Sequence, residues 1–261
     1  MGGCYTKGIM PNLKDLKVKL FADGAELDVI SRMAENPLIQ GFTTNPTLMR
    51  KAGVRDYRAF AGYVLKVVTN RPVSFEVFSD DFEEMEQQAL EIASWGENVF
   101  VKIPVMNTKG ASSCPLIKRL SSAGVQVNVT AIMTVEQVAE VVSNLSNLTR
   151  SFVSVFAGRI ADTGRDPVPI MAAAVALLQP NPQTELIWAS PRELLNVFQA
   201  DAVGCHVITA TNDIMVKLDL VDKDLNTFSL ETVHMFWQDA QKAGYKIEIS
   251  QPTAVSGSAT V

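Results

Sequence analysis

Eight short runs rich in Val, Ile and Phe recur along the chain, and nearly every one is followed by residues with helical apolar spacing. No other pattern constrains the fold as much. The runs cover 17–23, 41–45, 73–78, 99–105, 125–131, 152–157, 184–190 and 205–210. Most lack strict alternation, which marks strands covered on both faces, as in an all-parallel sheet. Helices are predicted over 25–36, 55–70, 80–94, 112–123, 134–145, 167–178 and 192–199, then from 212–218, with a terminal helix at 229–243. Carboxylates crowd the start of the 80–94 helix, Gly124 follows the 112–123 helix, Thr134 suits an N-cap and Pro191 suits a first turn. Eight β/α units in 261 residues predict an α/β fold, a single closed (β/α)8 TIM barrel. An open doubly wound sheet fits less well, because Asp23-Gly24-Ala25-Glu26 is no dinucleotide-binding turn. The barrel with its C-terminal helix is expected over 18–250, after a leader at 1–17 and before a Ser/Ala/Thr-rich tail at 251–261, read as disordered.

Composition excludes several function classes. A net charge of −5 argues against a broad nucleic-acid or anionic-membrane footprint, although a few local arginines suffice for one small anion. No run is long enough to span a membrane, and Met1–Lys19 lacks the apolar centre of a signal peptide. Cys4, Cys114 and Cys205 have no metal-like spacing and are read as reduced thiols of a cytoplasmic protein. His206 and His234 have no ligand company, so no metal or cofactor is expected.

Lys102 carries the chemistry. It interrupts the apolar run Val99-Phe100-Val101-Lys102-Ile103-Pro104-Val105. A buried amine tends to shed its proton and can then attack a carbonyl. The bland alternative is a lysine at the strand's end, reaching water along its stem. Active sites of such barrels lie at the strands' C-terminal ends. There the chain offers Asp23, Asn45, Glu76, Lys102, Asn128, Thr130, Ser154, Arg159, Ser190 and Arg192. Each has a dull account: Asp23 in a turn with Gly24, Asn45 shaping a loop, Glu76 facing outward, Arg159 pairing with Asp162. Stability alone does not explain so many polar groups at one mouth.

The segments Phe42-Thr-Thr-Asn-Pro-Thr-Leu48, Phe75-Glu76-Val77, Val101-Lys-Ile-Pro104, Val127-Asn-Val-Thr130, Ser154-Val-Phe-Ala-Gly-Arg-Ile160 and Ala189-Ser-Pro-Arg192 fall in order on successive strands. Singly they are weak signals; in register they are specific. Through them the chain resembles the transaldolase family of class I, Schiff-base-forming barrel enzymes.

The resemblance implies roles. Lys102 would be the Schiff-base lysine and Asp23 the acid/base acting on the C4 hydroxyl. Glu76 and Thr130 would hold a catalytic water. Asn45, Asn128 and Ser154 would bind the dihydroxyacetone unit, Asn128 also lying close to the lysine. Arg159, Ser190 and Arg192 would grip a terminal phosphate, helped by a helix opening at Pro191. The implied activity is transfer of dihydroxyacetone between phosphorylated sugars in the pentose phosphate pathway, by a homo-oligomer without cofactor. The family's smaller branch, fructose-6-phosphate aldolases, carries glutamine at the position of Glu76 and tyrosine at that of Phe156. Both residues favour transaldolase, although the chain is shorter than the long transaldolases. Pro191, where phenylalanine is common in the longer enzymes, departs from the pattern. The rivals are an aldolase releasing free dihydroxyacetone and a catalytically silent sugar-phosphate-binding barrel.

Overall fold

In the computed structural model, which describes residues 13–249, eight parallel strands close into one barrel in chain order. They are β1 (Lys19–Asp23), β2 (Ile39–Thr43), β3 (Val73–Glu76), β4 (Val99–Pro104), β5 (Val127–Ile132), β6 (Ser151–Val155), β7 (Thr184–Trp188) and β8 (Val207–Thr211). β8 returns to β1 in register from Lys19↔Val207 to Asp23↔Thr211, so no sheet edge remains. The expected (β/α)8 barrel is the fold. The expected tail at 251–261 and residues 1–12 of the leader, Cys4 among them, lie outside the described residues.

Helices fill the connections as parallel pairing requires. The first four are α1 (Leu27–Glu35), α2 (Pro46–Lys51), α3 (Tyr57–Val67) and α4 (Phe82–Ala93). α5 (Cys114–Ser122), α6 (Val135–Asn144), α7 (Ala157–Ala161) and α8 (Val168–Leu178) follow. The remainder are α9 (Leu195–Ala202), α10 (Asn212–Met215) and α11 (Leu225–Ala243). Side-chain oxygens start several of them: Asp56 caps α3, Asp81 caps α4, and Thr134 forms a capping box with Gln137 on α6.

Two short helices were not expected, α2 and α7. The first begins at an Asn-Pro pair, Asn45 as N-cap and Pro46 in the first turn. The helix expected from Arg192 starts three residues later, at Leu195, leaving Pro191 and Arg192 in the preceding loop. Its N-terminus therefore does not open at Pro191.

The barrel interior has two chemically distinct levels. Phe21, Phe100, Phe152, Ile187, Ala189 and Val207 pack together as a floor, with Phe156 against it. Phe152 meets Phe21 edge-on at 5.6 Å and stacks obliquely on Phe100 at 4.3 Å. Gly41 makes room for this floor: a Cβ there would stand 2.4 Å from Phe21 Cζ. Above the floor the inward positions turn polar. Outward strand residues join a larger core under the helices, where Phe75 meets Tyr57, Phe60 and Trp95.

The chain divides after Asp219 into this barrel and a second unit beginning at Leu220. In the second unit α11 is started by the Asp224 side chain and stopped by Gly244 in the left-handed region at φ 68°. None of the α11 side chains is buried.

Candidate active site

Lys102 is buried near the upper end of β4, opposite Glu76 of β3 and Asn128 of β5 in the strand registers. Its amine donates to the carbonyl of Thr44 at 2.9 Å and forms an ion pair with Glu76 Oε2 at 3.3 Å. The lysine therefore does not run along its stem into solvent. Glu76 faces the interior, and Phe75 takes the outward position. Burial raises the Glu76 carboxyl above its ordinary range, Lys102 pulls it back, and Asp23 pushes the same way as burial.

Asp23 ends β1 and feels the Lys102 charge. Its Oδ1 accepts from Thr43 Oγ1 at 2.8 Å, and Thr43 Oγ1 meets Thr209 Oγ1 at 2.6 Å, spanning β2 to β8. Burial raises the Asp23 carboxyl as well, opposed by the Lys102 charge and the Thr43 hydrogen bond. Two carboxyls with raised proton affinity thus flank one amine.

A second polar chain crosses the opposite wall. Ser154 Oγ donates to Asn128 Oδ1 at 2.7 Å, and Asn128 Nδ2 donates to Ser74 Oγ at 2.9 Å. All three residues are buried, so their dipoles are fixed before any ligand arrives. Thr130 lies two residues beyond Asn128 on β5, and its buried hydroxyl has no protein hydrogen-bond partner. Such an orphaned buried hydroxyl suits a ligand or water.

The remaining candidates gather at the ends of β6 and β7. Ser190 is held at φ 59°, a left-handed conformation uncommon for a serine. Gly158 in α7 makes this possible: a Cβ there would fall 1.6 Å from the Ser190 carbonyl oxygen and 3.3 Å from Arg192 Nε. Arg192 Nε donates to Asp162 Oδ1 at 2.9 Å, and the Arg192 hydrogen bond holds the Asp162 carboxyl below the usual range. Asp162 is therefore engaged by Arg192, whereas Arg159 lies over the Phe156 ring at 5.7 Å. Asn45 spends its Oδ1 on capping α2, accepting from Leu48 N at 3.0 Å.

Asp23, Glu76, Lys102, Asn128, Thr130 and Ser154 thus line the upper interior, with Arg159, Ser190 and Arg192 at the ends of two adjacent strands. Thr43, Thr44, Ser74 and Thr209 were not singled out in advance, yet the first three hold Asp23, Lys102 and Asn128, and Thr209 meets Thr43. Their signal was position: each sits within two residues of a strand's C-terminal end.

The family described as Transaldolase/Fructose-6-phosphate aldolase matches residues 20–254. The chain belongs to that family. Among curated relatives, the "Probable transaldolase" of Dehalococcoides mccartyi is 31% identical over 229 residues, covering 86% of this chain and 100% of the relative. The same name is borne by a Thermoanaerobacter sp. protein, 33% identical over 88% of this chain and 100% of its own length. A Streptococcus agalactiae protein of that name is 34% identical over 81% of this chain and 95% of its length. The transaldolase/fructose-6-phosphate aldolase chain also superposes on a mandelate oxidase mutant with a TM-score of 0.54, covering 80% of this chain and 73% of the other. At 12% identity that likeness shows the barrel alone.

Proposed function

We propose that the protein is a transaldolase: it moves a dihydroxyacetone unit from a ketose phosphate, sedoheptulose 7-phosphate or fructose 6-phosphate, to an aldose phosphate, glyceraldehyde 3-phosphate or erythrose 4-phosphate. The observation that carries this reading is the buried Lys102 amine, 3.3 Å from Glu76 and within the field of Asp23. The transaldolase names of the relatives favour it further.

In the proposed sequence Glu76 takes the proton that the Lys102 amine gives up, and the amine attacks the ketose carbonyl carbon. The carbinolamine loses water to an iminium ion, with protons relayed through a water between Glu76 and Thr130. Asp23 removes the proton of the C4 hydroxyl. The C3–C4 electron pair then moves into the iminium, leaving an enamine on Lys102 and releasing the aldose phosphate. The enamine attacks the acceptor's aldehyde carbon, whose oxygen takes the proton back from Asp23. Water finally hydrolyses the new iminium. Asn45, Asn128 and Ser154 orient the dihydroxyacetone hydroxyls. Ser190, Arg159 and Arg192 hold the phosphate, which displaces Asp162 from Arg192.

The test is reduction with borohydride in the presence of fructose 6-phosphate, followed by peptide mapping. A mass increase on Lys102 is expected; no adduct would leave a silent sugar-phosphate-binding barrel. Erythrose 4-phosphate then separates transfer from aldol cleavage, and dominant release of free dihydroxyacetone would make the protein a fructose-6-phosphate aldolase. We further propose a cytoplasmic homo-oligomer in the pentose phosphate pathway. A monomeric mass in solution would overturn that part.

A further inference from the structure

Glu76 occupies the place where the barrel's hydrogen-bond ladder breaks. β2 and β3 pair at Phe42↔Val73 and Thr43↔Ser74, with Phe42 N donating to Pro72 O and Thr44 N to Ser74 O. Continued in parallel register, Glu76 N would donate to Thr44 O, and the N–H of residue 46 would donate to Glu76 O. Neither bond forms. The Thr44 carbonyl receives the Lys102 amine at 2.9 Å, and residue 46 is a proline, with no N–H to give. The β2 segment that receives Lys102 thus leaves the Glu76 N–H and C=O without ladder partners.

One phenol replaces both. Tyr57 Oη accepts from Glu76 N at 2.7 Å and donates to Glu76 O at 3.0 Å. The residue opens α3, and Asp56 caps that helix, accepting from Ala59 N at 2.9 Å. The Tyr57 ring is wedged among Phe78 at 4.6 Å, Trp95 at 5.4 Å and Phe75 at 6.1 Å. Burial pushes the phenol above its ordinary range, so it keeps the proton it donates.

We infer that Tyr57 is a positioning residue for Glu76: it takes over the missing β2 ladder and fixes the backbone from which the carboxylate reaches Lys102. It acts through Glu76 and touches no substrate. A neutral phenol suits this task, because one oxygen both accepts and donates. A side chain that only donates or only accepts would leave one backbone group unpaired.

The functional half of the inference rests on the proposed transaldolase reading; the structural half does not. Tyr57→Phe deletes the bridging oxygen and keeps the ring. Two readouts test it on the full-length protein. First, the Glu76 backbone amide should exchange with solvent about tenfold faster in Tyr57→Phe, the equivalent of one lost hydrogen bond. Unchanged exchange would overturn the bridge. Second, kcat for dihydroxyacetone transfer should fall about tenfold, with KM for fructose 6-phosphate within about twofold, because the phosphate grip lies on other strands. In a Glu76→Gln background the same change should cost little more, since its effect passes through the carboxylate. Fully additive losses, or an unchanged kcat in Tyr57→Phe, would overturn the positioning role. Absence of a Lys102 adduct in the wild-type protein would instead overturn the transaldolase reading, and amide exchange would still decide the bridge.

Discussion

Glu76 and Lys102 are register partners on β3 and β4, and their charged ends meet 3.3 Å apart inside the barrel. In the proposed reaction the two side chains act as one unit for proton transfer. Lys102→Ala should abolish turnover while the barrel still folds. Glu76→Gln should keep the amine but lose a proton acceptor, shifting the products from transfer toward aldol cleavage or synthesis. The ratio of transfer to free dihydroxyacetone, with erythrose 4-phosphate as acceptor, measures this; an unaltered ratio would contradict the role given to Glu76.

The raised Asp23 carboxyl has a consequence for stability. In the folded protein it holds its proton more firmly than in the unfolded chain, whose ordinary value is 3.8. Its contribution to stability is therefore full below about pH 4 and is lost as pH rises through the folded value. Asp23→Asn removes that loss and keeps an oxygen to accept from Thr43. The Tm of the variant relative to wild type should climb as pH rises above about 4. A difference flat with pH would mean that burial does not dominate at this carboxyl. Activity should vanish in the same variant.

Arg192 is exposed and already paired with Asp162. A phosphate must compete with that carboxylate, so Arg192→Ala should raise KM for phosphorylated sugars about tenfold, the scale of one charge-assisted contact, and spare kcat. Steady-state kinetics with fructose 6-phosphate give the answer. An unmoved KM would remove Arg192 from the phosphate site.

Gly41 is set by the floor rather than by the reaction. A methyl there would meet Phe21 ring carbons at 2.4–2.6 Å. Gly41→Ala should cost about 1–3 kcal/mol through overpacking, lowering Tm by several degrees. Phe21→Leu in the same chain should recover part of the loss. Thermal unfolding of the three variants checks both statements.

The barrel was legible because eight apolar runs alternating with helical spacing leave few other topologies. The orientation of Glu76 was not. β3 is covered on both faces, so the step from Phe75 to Glu76 to Val77 does not say which side is the inside. Ser190 gave no sign of its left-handed backbone, because the cause is Gly158, 32 positions earlier in sequence. The start of α9 was misplaced for a related reason: Pro191 suits a first helical turn, but the side chain of Asn196 instead accepts from the backbone N–H groups of Arg192 and Glu193 in a loop. The role of Tyr57 was not legible, since nothing local reveals what its hydroxyl reaches. The α2 start was recoverable, as Asn45-Pro46 is a cap followed by a first-turn proline.

The packed phenylalanines Phe21, Phe100 and Phe152 fill the barrel below the polar level that holds Lys102. Both sugars of the proposed transfer reaction would then reach Lys102 from the strands' C-terminal ends. The aldose formed first must then depart before the acceptor can enter, so the kinetics should be ping-pong, with the covalent enzyme waiting in between.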